Sequence, residues 1–154
     1  MLTRLSLEGF KSIRNLENLE LGRLNILIGS NGSGKSNLIS FFRMLRFMAE
    51  PPGGFQQYVG IHAGGASGLL FDGPETTTRI QASLSFEMAT MNADIEFTLE
   101  FAVGDKLCFR HESQRLRSRE DDHIVYQRKS DDISWESHLL ANDLQGDSLA
   151  DAFP

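Results

Sequence analysis

The chain has 154 residues, enough for one domain, and 40% of them are hydrophobic, which suffices for a core. Its net charge of −6 argues against a uniformly basic DNA-binding domain, although a local basic strip stays compatible with it. The single cysteine, Cys108, excludes an internal disulfide, and no window approaches the roughly 18 apolar residues of a membrane span. The N-terminus lacks the apolar core of a signal peptide, so we expect a soluble, cytoplasmic protein without a membrane partner.

Two strands are predicted in the first thirty residues. Residues 2–8 alternate weakly between apolar and polar side chains, which is typical of a strand, and the Gly-Phe-Lys-Ser-Ile that follows predicts a turn. Leu16, Leu19 and Leu21 then lead to an apolar run. This run, residues 24–28, has the composition of a buried strand and ends at Gly29.

A helix is predicted from Lys35 to about Ala49, where apolar residues cover most of the circumference. The polar residues form one narrow stripe: Asn37, Ser40, Arg43 and Arg46. A helix that apolar should be covered on more than one side. The Pro-Pro-Gly-Gly of residues 51–54 ends it.

The second half of the chain predicts an antiparallel meander after a glycine-rich connection, residues 53–75. Between residues 76 and 88 apolar and polar side chains alternate cleanly, which indicates a sheet with one solvated face. Residues 95–101 repeat the pattern, residues 103–106 predict a turn, a third strand begins at Leu107, and a short fourth covers residues 124–126. From Lys129 the chain is polar and acidic, and its last 14 residues are expected to fray.

The segment between the buried run and the helix carries the chemistry. It reads Gly29-Ser30-Asn31-Gly32-Ser33-Gly34-Lys35-Ser36 and fits G-x-x-x-x-G-K-[ST], the P-loop. Glycines let backbone N–H groups converge on a polyphosphate, and the helix start adds free N–H groups and the positive end of its dipole. Lys35 is expected to reach the β- and γ-phosphates, and the Ser36 hydroxyl is expected to ligate Mg²⁺.

Three pieces together, "L-x-G-F-K-S-I", "LNILIGSNGSGKSN" and "LISFFRML", resemble the N-terminal half of ABC-type ATPase heads in SMC, RecF and OLD-like proteins. The chain looks most like the bacterial AAA family ATPases of that lineage, over roughly residues 1–102. The resemblance implies an α/β fold (an α+β mix): a P-loop NTPase with an ABC-ATPase-like N-terminal lobe and an antiparallel β meander. It also implies ATP and Mg²⁺ as ligands, a second head that completes a two-ATP sandwich, and work on DNA in repair, chromosome maintenance or phage defence.

The resemblance also implies a set of nucleotide-binding residues. The first-rank positions are those of the loop and the helix start: Gly29, Ser30, Asn31, Gly32, Ser33, Gly34, Lys35, Ser36 and Asn37. Asn31 and Asn37 are typical accessories of this kind of P-loop, and no contact is assigned to Asn37. In such heads the Gly-Phe-Lys-Ser-Ile turn lies near the nucleotide, so Lys11 and Ser12 are second-rank candidates, with an ordinary surface turn as the equal alternative.

Two parts of such an ATPase have no convincing counterpart. The Walker B strand should end in Asp-Glu, but Leu69-Leu70-Phe71-Asp72 lies too near the P-loop and lacks the glutamate. Gly64-Gly65 imitates a signature loop without its preceding Leu-Ser, and the lobe-joining glutamine stays open among Gln56, Gln57, Gln114 and Gln127. We therefore expect an incomplete domain, the first half of a longer or split ATPase, with no catalytic base of its own. ATP binding and ATP hydrolysis are separate predictions.

Composition and periodicity along the chain suggest four segments: a P-loop core (1–50), a glycine-rich connection (51–75), an antiparallel β subdomain (76–128) and a polar tail (129–154). Outside the P-loop, Arg115, Arg117 and Arg119 would line one face of an extended stretch, as for a phosphate backbone, but neighbouring acids favour a solvated face with local ion pairs. The histidines, His62, His111, His123 and His138, do not pair with Cys108 at zinc-ligand spacing. Trp135 is either a residue that docks on a missing half or part of a marginal tail.

Three rival functions stay open. A small P-loop kinase would need parallel strands, which the meander argues against. A transporter-type ABC ATPase would use an aromatic residue ahead of the P-loop to stack on adenine, a role that Phe10 could imitate. The third rival is a nucleotide-binding fragment without turnover of its own.

Overall fold

A computed structural model of the chain describes residues 1–49 and 53–137. The elements are, in chain order, β1 Leu2–Phe10, β2 Ile13–Glu20, α1 Lys35–Ala49, α2 Gly54–Gln57, a π-helical turn Tyr58–His62, a 3₁₀ turn Ser67–Leu69, β3 Arg79–Glu87, β4 Met91–Ala102, β5 Lys106–Ser118 and β6 Ile124–Ser130. Among the described residues no helix is both long and apolar enough to cross a membrane. His138 and the expected frayed end lie outside the described residues.

All six strands form one antiparallel sheet in the order β2-β1-β3-β4-β5-β6. The meander predicted after residue 76 is confirmed, because β3 to β6 follow one another as neighbours. Its alternation is confirmed too. One face buries the predicted apolar residues, among them Ile80, Leu84, Phe86, Ile95, Phe97 and Leu99. The other face carries polar side chains of the same strands, as expected of a sheet that faces water on one side.

The predicted Gly-Phe-Lys-Ser-Ile turn is a two-residue hairpin turn, and a strand that the sequence did not indicate follows it. Phe10 pairs with Ile13, so Lys11 and Ser12 form the turn, with Lys11 in the left-handed region at φ 49°. β2 then runs back along β1 at the edge of the sheet, where its backbone groups find partners on one side. The hairpin joins the first residues of the chain to the same sheet as the meander.

The apolar helix is covered on two sides, as predicted. It buries Leu38, Phe41, Met44, Leu45 and Met48. Phe41 packs edge-on against Phe10 of β1, with ring centroids 5.4 Å apart, and Phe47 packs against Tyr58 of the π-helical turn at the same distance. The helix therefore lies between the sheet and the segment that follows it.

Only two of the four residues in the predicted polar stripe of α1 are exposed. Arg43 and Arg46 are exposed, whereas Asn37 and Ser40 are half-buried and form hydrogen bonds to residues outside the helix. Ile39, which the pattern placed among the covered residues, is 54% exposed.

The prediction of a buried strand over residues 24–28 is wrong for this structure. The segment has no regular secondary structure, and Leu24, Ile26 and Ile28 are 82%, 75% and 90% exposed. A buried strand of this composition needs neighbours in the sheet and cover on both faces. The six described strands pair only with one another, and none of them lies beside residues 24–28. Its apolar side chains therefore face solvent.

Cys108 is the packed small hydrophobe that the sequence predicts. Its thiol is buried in β5 and donates to the Glu100 carbonyl at 3.6 Å. Burial, followed by the nearby charge of Glu100, raises the pKa of the thiol. We expect Cys108 to react with Ellman's reagent on the order of 10³-fold more slowly in the native protein than in guanidinium, because an opening that costs about 5 kcal/mol must come first. Rapid labelling of the native chain would contradict this packing.

Candidate phosphate-binding site

The P-loop meets the start of α1 in a geometry that leaves donors free. The Gly34 carbonyl accepts from the N–H groups of Asn37 and Leu38, each at 3.0 Å, which makes Gly34 the residue that opens the helix. Gly32 and Gly34 have φ of 84° and 93°, a conformation that favours glycine. The N–H groups of Lys35 and Ser36 have no acceptor within the described residues, as at most helix starts. Free N–H groups and the helix dipole favour an anion at this position.

The Lys35 ammonium lies inside the loop. Its Nζ donates to the carbonyls of Gly29 at 2.6 Å and Ser30 at 2.7 Å, with the Ser33 hydroxyl at 3.3 Å. A Cβ on Gly29 would lie only 2.7 Å from the Ser33 Oγ and 3.8 Å from the Lys35 Nζ, so the glycine leaves room for this arrangement. The loop thus holds one positive charge next to the free N–H groups of the helix. Both are complementary to a phosphate.

The Lys11–Ser12 turn packs against the same helix start. The Ser12 Oγ accepts from the Asn37 amide at 2.7 Å, and a Cβ on Gly34 would lie 3.2 Å from that oxygen. The structure therefore brings Ser12 and Asn37 together at the rim of the P-loop, a contact that the sequence did not predict. The side chains of Asn31 and Ser36 face solvent.

Lys11, in the β1–β2 turn, contacts α1 about one turn beyond the contact between Ser12 and Asn37. Its Nζ donates to the Ser40 hydroxyl at 2.7 Å, and the Tyr58 hydroxyl lies 2.9 Å from the Ser40 Oγ and donates to the Ser40 carbonyl at 3.0 Å. Partial burial, and then the charge of Arg43, lowers the pKa of Lys11. Ser40 and Tyr58 carry no sequence signal for this contact, because the π-helical turn is placed over α1 by tertiary packing alone.

The two weak motif candidates have structural roles. In the Walker B candidate, Leu70 bridges to Phe10, and the Phe71 N–H donates to the Gly9 carbonyl at 3.0 Å. The stretch is a turn braced against β1, with Asp72 exposed and at φ 52°. A Walker B strand is therefore not formed there.

Gly64-Gly65, the pair that resembles a signature loop, packs against Asp105 of the β4–β5 turn. Asp105 accepts from the Ser67 N–H at 2.7 Å and from the Ser67 hydroxyl at 3.1 Å. Gly65 has φ 113°, and a Cβ there would overlap the Asp105 carboxylate. The glycine pair is thus a packing feature, since the carboxylate leaves no space for a side chain.

Two of the three arginines of the triad are held in ion pairs. Arg117 pairs with Asp94 at 2.7 Å, and Arg119 pairs with Glu87 at 2.5 Å. The interpretation of local ion pairs holds for these two, whereas the Nε of Arg115 is buried and has no hydrogen-bond partner among the described residues.

The remaining candidates are placed by local contacts. His111 and His123 contact Asp131 and Asp121, and no group of three or more potential metal ligands occurs in the part of the chain that the structure describes. Gln56 donates to the carbonyls of Leu107 and Trp135, at 2.9 and 2.7 Å. The Lys106 Nζ lies 5.6 Å from the centroid of the Trp135 ring, and the tryptophan side chain is 47% exposed.

Comparisons with known proteins agree with the P-loop. A search of curated proteins gives no match. A family model described as "AAA domain, putative AbiEii toxin, Type IV TA system" matches residues 24–148, more than three quarters of the chain. The matched range begins at the exposed apolar segment and includes the P-loop, α1 and the whole meander. The chain therefore belongs to this family of AAA-type, P-loop ATPase domains.

Proposed function

We propose that the chain is the ATP- and Mg²⁺-binding lobe of an ATPase of the RecF, SMC and OLD-like kind. The observation that carries the proposal is the Lys35 ammonium, held inside a glycine loop at the first turn of α1. An ammonium and free helix N–H groups at one point make a site for a polyphosphate. The family match to an AAA domain supports the nucleotide as the ligand class.

The loop residues would have different roles in binding MgATP. Lys35 would exchange its carbonyl contacts for oxygens of the β- and γ-phosphates, while the backbone N–H groups of Gly32 to Ser36 would surround the β-phosphate. The exposed Ser36 hydroxyl would ligate Mg²⁺, which usually keeps several waters and takes few protein ligands. Ser12 and Asn37 would fix the helix start, and Lys11 would have to leave Ser40 to reach a phosphate.

Hydrolysis would need residues from a further segment or a second head. Residues 24–28 support this, because their apolar side chains have the composition of a buried strand and yet are exposed. We propose that a segment carrying the Walker B strand covers them, and that a second head supplies the signature contact. The ABC-like lobe, the division into four segments and the incomplete domain belong to this proposal.

The cellular role is the least constrained part of the proposal. The family description names a putative toxin of a type IV toxin–antitoxin system, and the proposed roles are repair, chromosome maintenance or phage defence. A cytoplasmic location and DNA as the eventual target follow from the proposed lineage. The antiparallel sheet disfavours the P-loop kinase, and Phe10 is buried against Phe41, so it is not available to stack on adenine as in a transporter ATPase.

The test separates binding from turnover. We expect the purified chain to bind one MgATP saturably in a calorimetric titration, and to release phosphate no faster than a Lys35→Ala variant. No binding by a chain whose circular dichroism shows it folded would overturn the nucleotide-binding lobe. Turnover above the variant would show that the chain has its own catalytic base, and would overturn the need for completion.

A further inference from the structure

The ammonium of Lys11 lies in the fold without an acidic partner. Its Nζ donates to the Ser40 hydroxyl at 2.7 Å and lies 5.8 Å from the centroid of the Phe10 ring. Within residues 1–49 and 53–137 no carboxylate pairs with it. The charge that acts on it is the positive one of Arg43, which adds to the effect of burial in lowering the pKa of Lys11. A partly buried cation without a counter-charge is stabilised when an anion comes close to it.

Tyr58 orients the Ser40 hydroxyl toward this ammonium. The Tyr58 hydroxyl has one proton, which it donates to the Ser40 carbonyl at 3.0 Å. At the 2.9 Å contact between the two hydroxyl oxygens, Ser40 is therefore the donor and Tyr58 the acceptor. Because the Ser40 proton points to Tyr58, the lone pairs of the Ser40 oxygen are available to Lys11. The three side chains thus form a chain of hydrogen bonds with one set of donor directions.

The contact with Ser40 keeps the ammonium about one helical turn from the proposed phosphate site. Ser36 and Ser40 are four residues apart on α1, so their side chains lie on one face, with Cβ atoms about 5–6 Å apart. Ser12, the next residue after Lys11, is fixed at the helix start, where its Oγ accepts from Asn37 at 2.7 Å. Since a lysine side chain is a flexible four-carbon stem, its Nζ can move from Ser40 to the helix start while the turn stays in place.

The backbone of the turn does not depend on the Ser40 contact. The Lys11 N–H donates to the Leu69 carbonyl at 2.8 Å, and Phe10 pairs with Ile13 across the turn. Removal of the Ser40 hydroxyl should therefore release the ammonium alone. This separation of side chain from backbone makes the contact accessible to mutation.

We propose that Ser40 and Tyr58 are positioning residues of the nucleotide site, which hold the Lys11 ammonium away from the phosphates until a nucleotide binds. The inference rests on the proposed function. A polyphosphate at the helix start offers charged oxygens, which are stronger acceptors than a neutral hydroxyl. Binding then exchanges the Ser40 contact for a phosphate contact. The affinity for the nucleotide is lowered by the strength of the contact that is given up.

A double-mutant cycle between Ser40 and Lys11 tests this exchange. Ser40→Ala removes the acceptor and is expected to tighten MgATP binding about tenfold in a calorimetric titration, the equivalent of one weak hydrogen bond to a charged group. Lys11→Met removes the charge at similar length and is expected to weaken binding. In the Lys11→Met background, Ser40→Ala should leave the affinity unchanged. A merely structural role of Ser40 would instead lower the affinity together with the melting temperature, whichever residue stands at position 11.

Tyr58→Phe is the second variant, because the ring that packs against Phe47 is retained. It should tighten binding less than Ser40→Ala does, and again only while Lys11 is present. Unchanged or weaker binding by both variants, or equal tightening in the Lys11→Met background, would overturn the inference. The proposed function would survive those outcomes if the unmodified chain bound MgATP and its Lys35→Ala variant did not. Absence of binding by the unmodified, folded chain would overturn both.

Discussion

Replacing Lys35 with alanine is expected to abolish measurable MgATP binding. The ammonium is the charged donor that the loop places among the phosphates, and each charge-assisted hydrogen bond contributes about 1.5–3 kcal/mol. Two such bonds at the lower end of this range correspond to about 100-fold, and the carbonyl contacts that Lys35 gives up on binding place the expected loss at that end. Calorimetry on the variant beside the unmodified chain measures the loss.

The fold should survive this change, because Lys35 bonds only to exposed carbonyls and a serine hydroxyl of its own loop. Circular dichroism and the melting temperature check that. Lys106→Ala removes an ammonium from the first residue of β5 and serves as the matched control, with ATP affinity expected to stay unchanged. If the Lys35 variant bound MgATP as well as the unmodified chain does, the nucleotide would not lie in this loop.

Gly9→Ala is expected to destabilise the protein by about 3 kcal/mol or more. Gly9 has φ 76°, and a Cβ there would lie 2.4 Å from the Arg79 carbonyl oxygen and 3.0 Å from the Thr77 Cγ2. Because the nearest obstacle is the backbone of the first residue of β3, β1 would have to move away from its neighbour. Urea unfolding followed by circular dichroism measures the change in the free energy of unfolding.

Gly73→Ala isolates the steric part of that cost. Gly73 has nearly the same φ, 77°, but nothing lies within 4 Å of a Cβ placed there. Only the left-handed conformation would be penalised, at roughly 1–2 kcal/mol. Equal destabilisation by the two substitutions would mean that β1 and β3 tolerate the extra atom. A clear difference would assign the first glycine of Gly-Phe-Lys-Ser-Ile to strand packing.

Much of the fold could be predicted because its signals are local. The meander shows period two over long runs, and the helix has a clear start at the P-loop and a clear end at the prolines. β2 gave no such signal. Its half-buried residues, Ile13, Leu16 and Leu19, recur every third position, since a register shift and the left-handed Asn18 break the alternation. A period-two search passes over a strand of this kind.

The site shows a different limit. The motif alone identified Lys35 and the glycines, because their role depends on local backbone geometry. The contacts of Asn37 with Ser12 and of Lys11 with Ser40 join residues 25 and 29 positions apart, and no local pattern encodes such pairs. Composition also could not say what covers residues 24–28. The apolar residues there indicate that this surface should be buried, but composition does not identify the segment that buries it.

The position of the Lys35 ammonium makes phosphate binding a competition. The two carbonyls of Gly29 and Ser30 already satisfy this cation, so an incoming phosphate must take a donor away from them. The measured affinity is then the difference between two sets of charge-assisted bonds, and it falls well below what the new contacts alone would suggest. The Gly29 and Ser30 carbonyls therefore compete with any ligand for the Lys35 ammonium. Only a ligand that accepts hydrogen bonds of comparable strength can replace them.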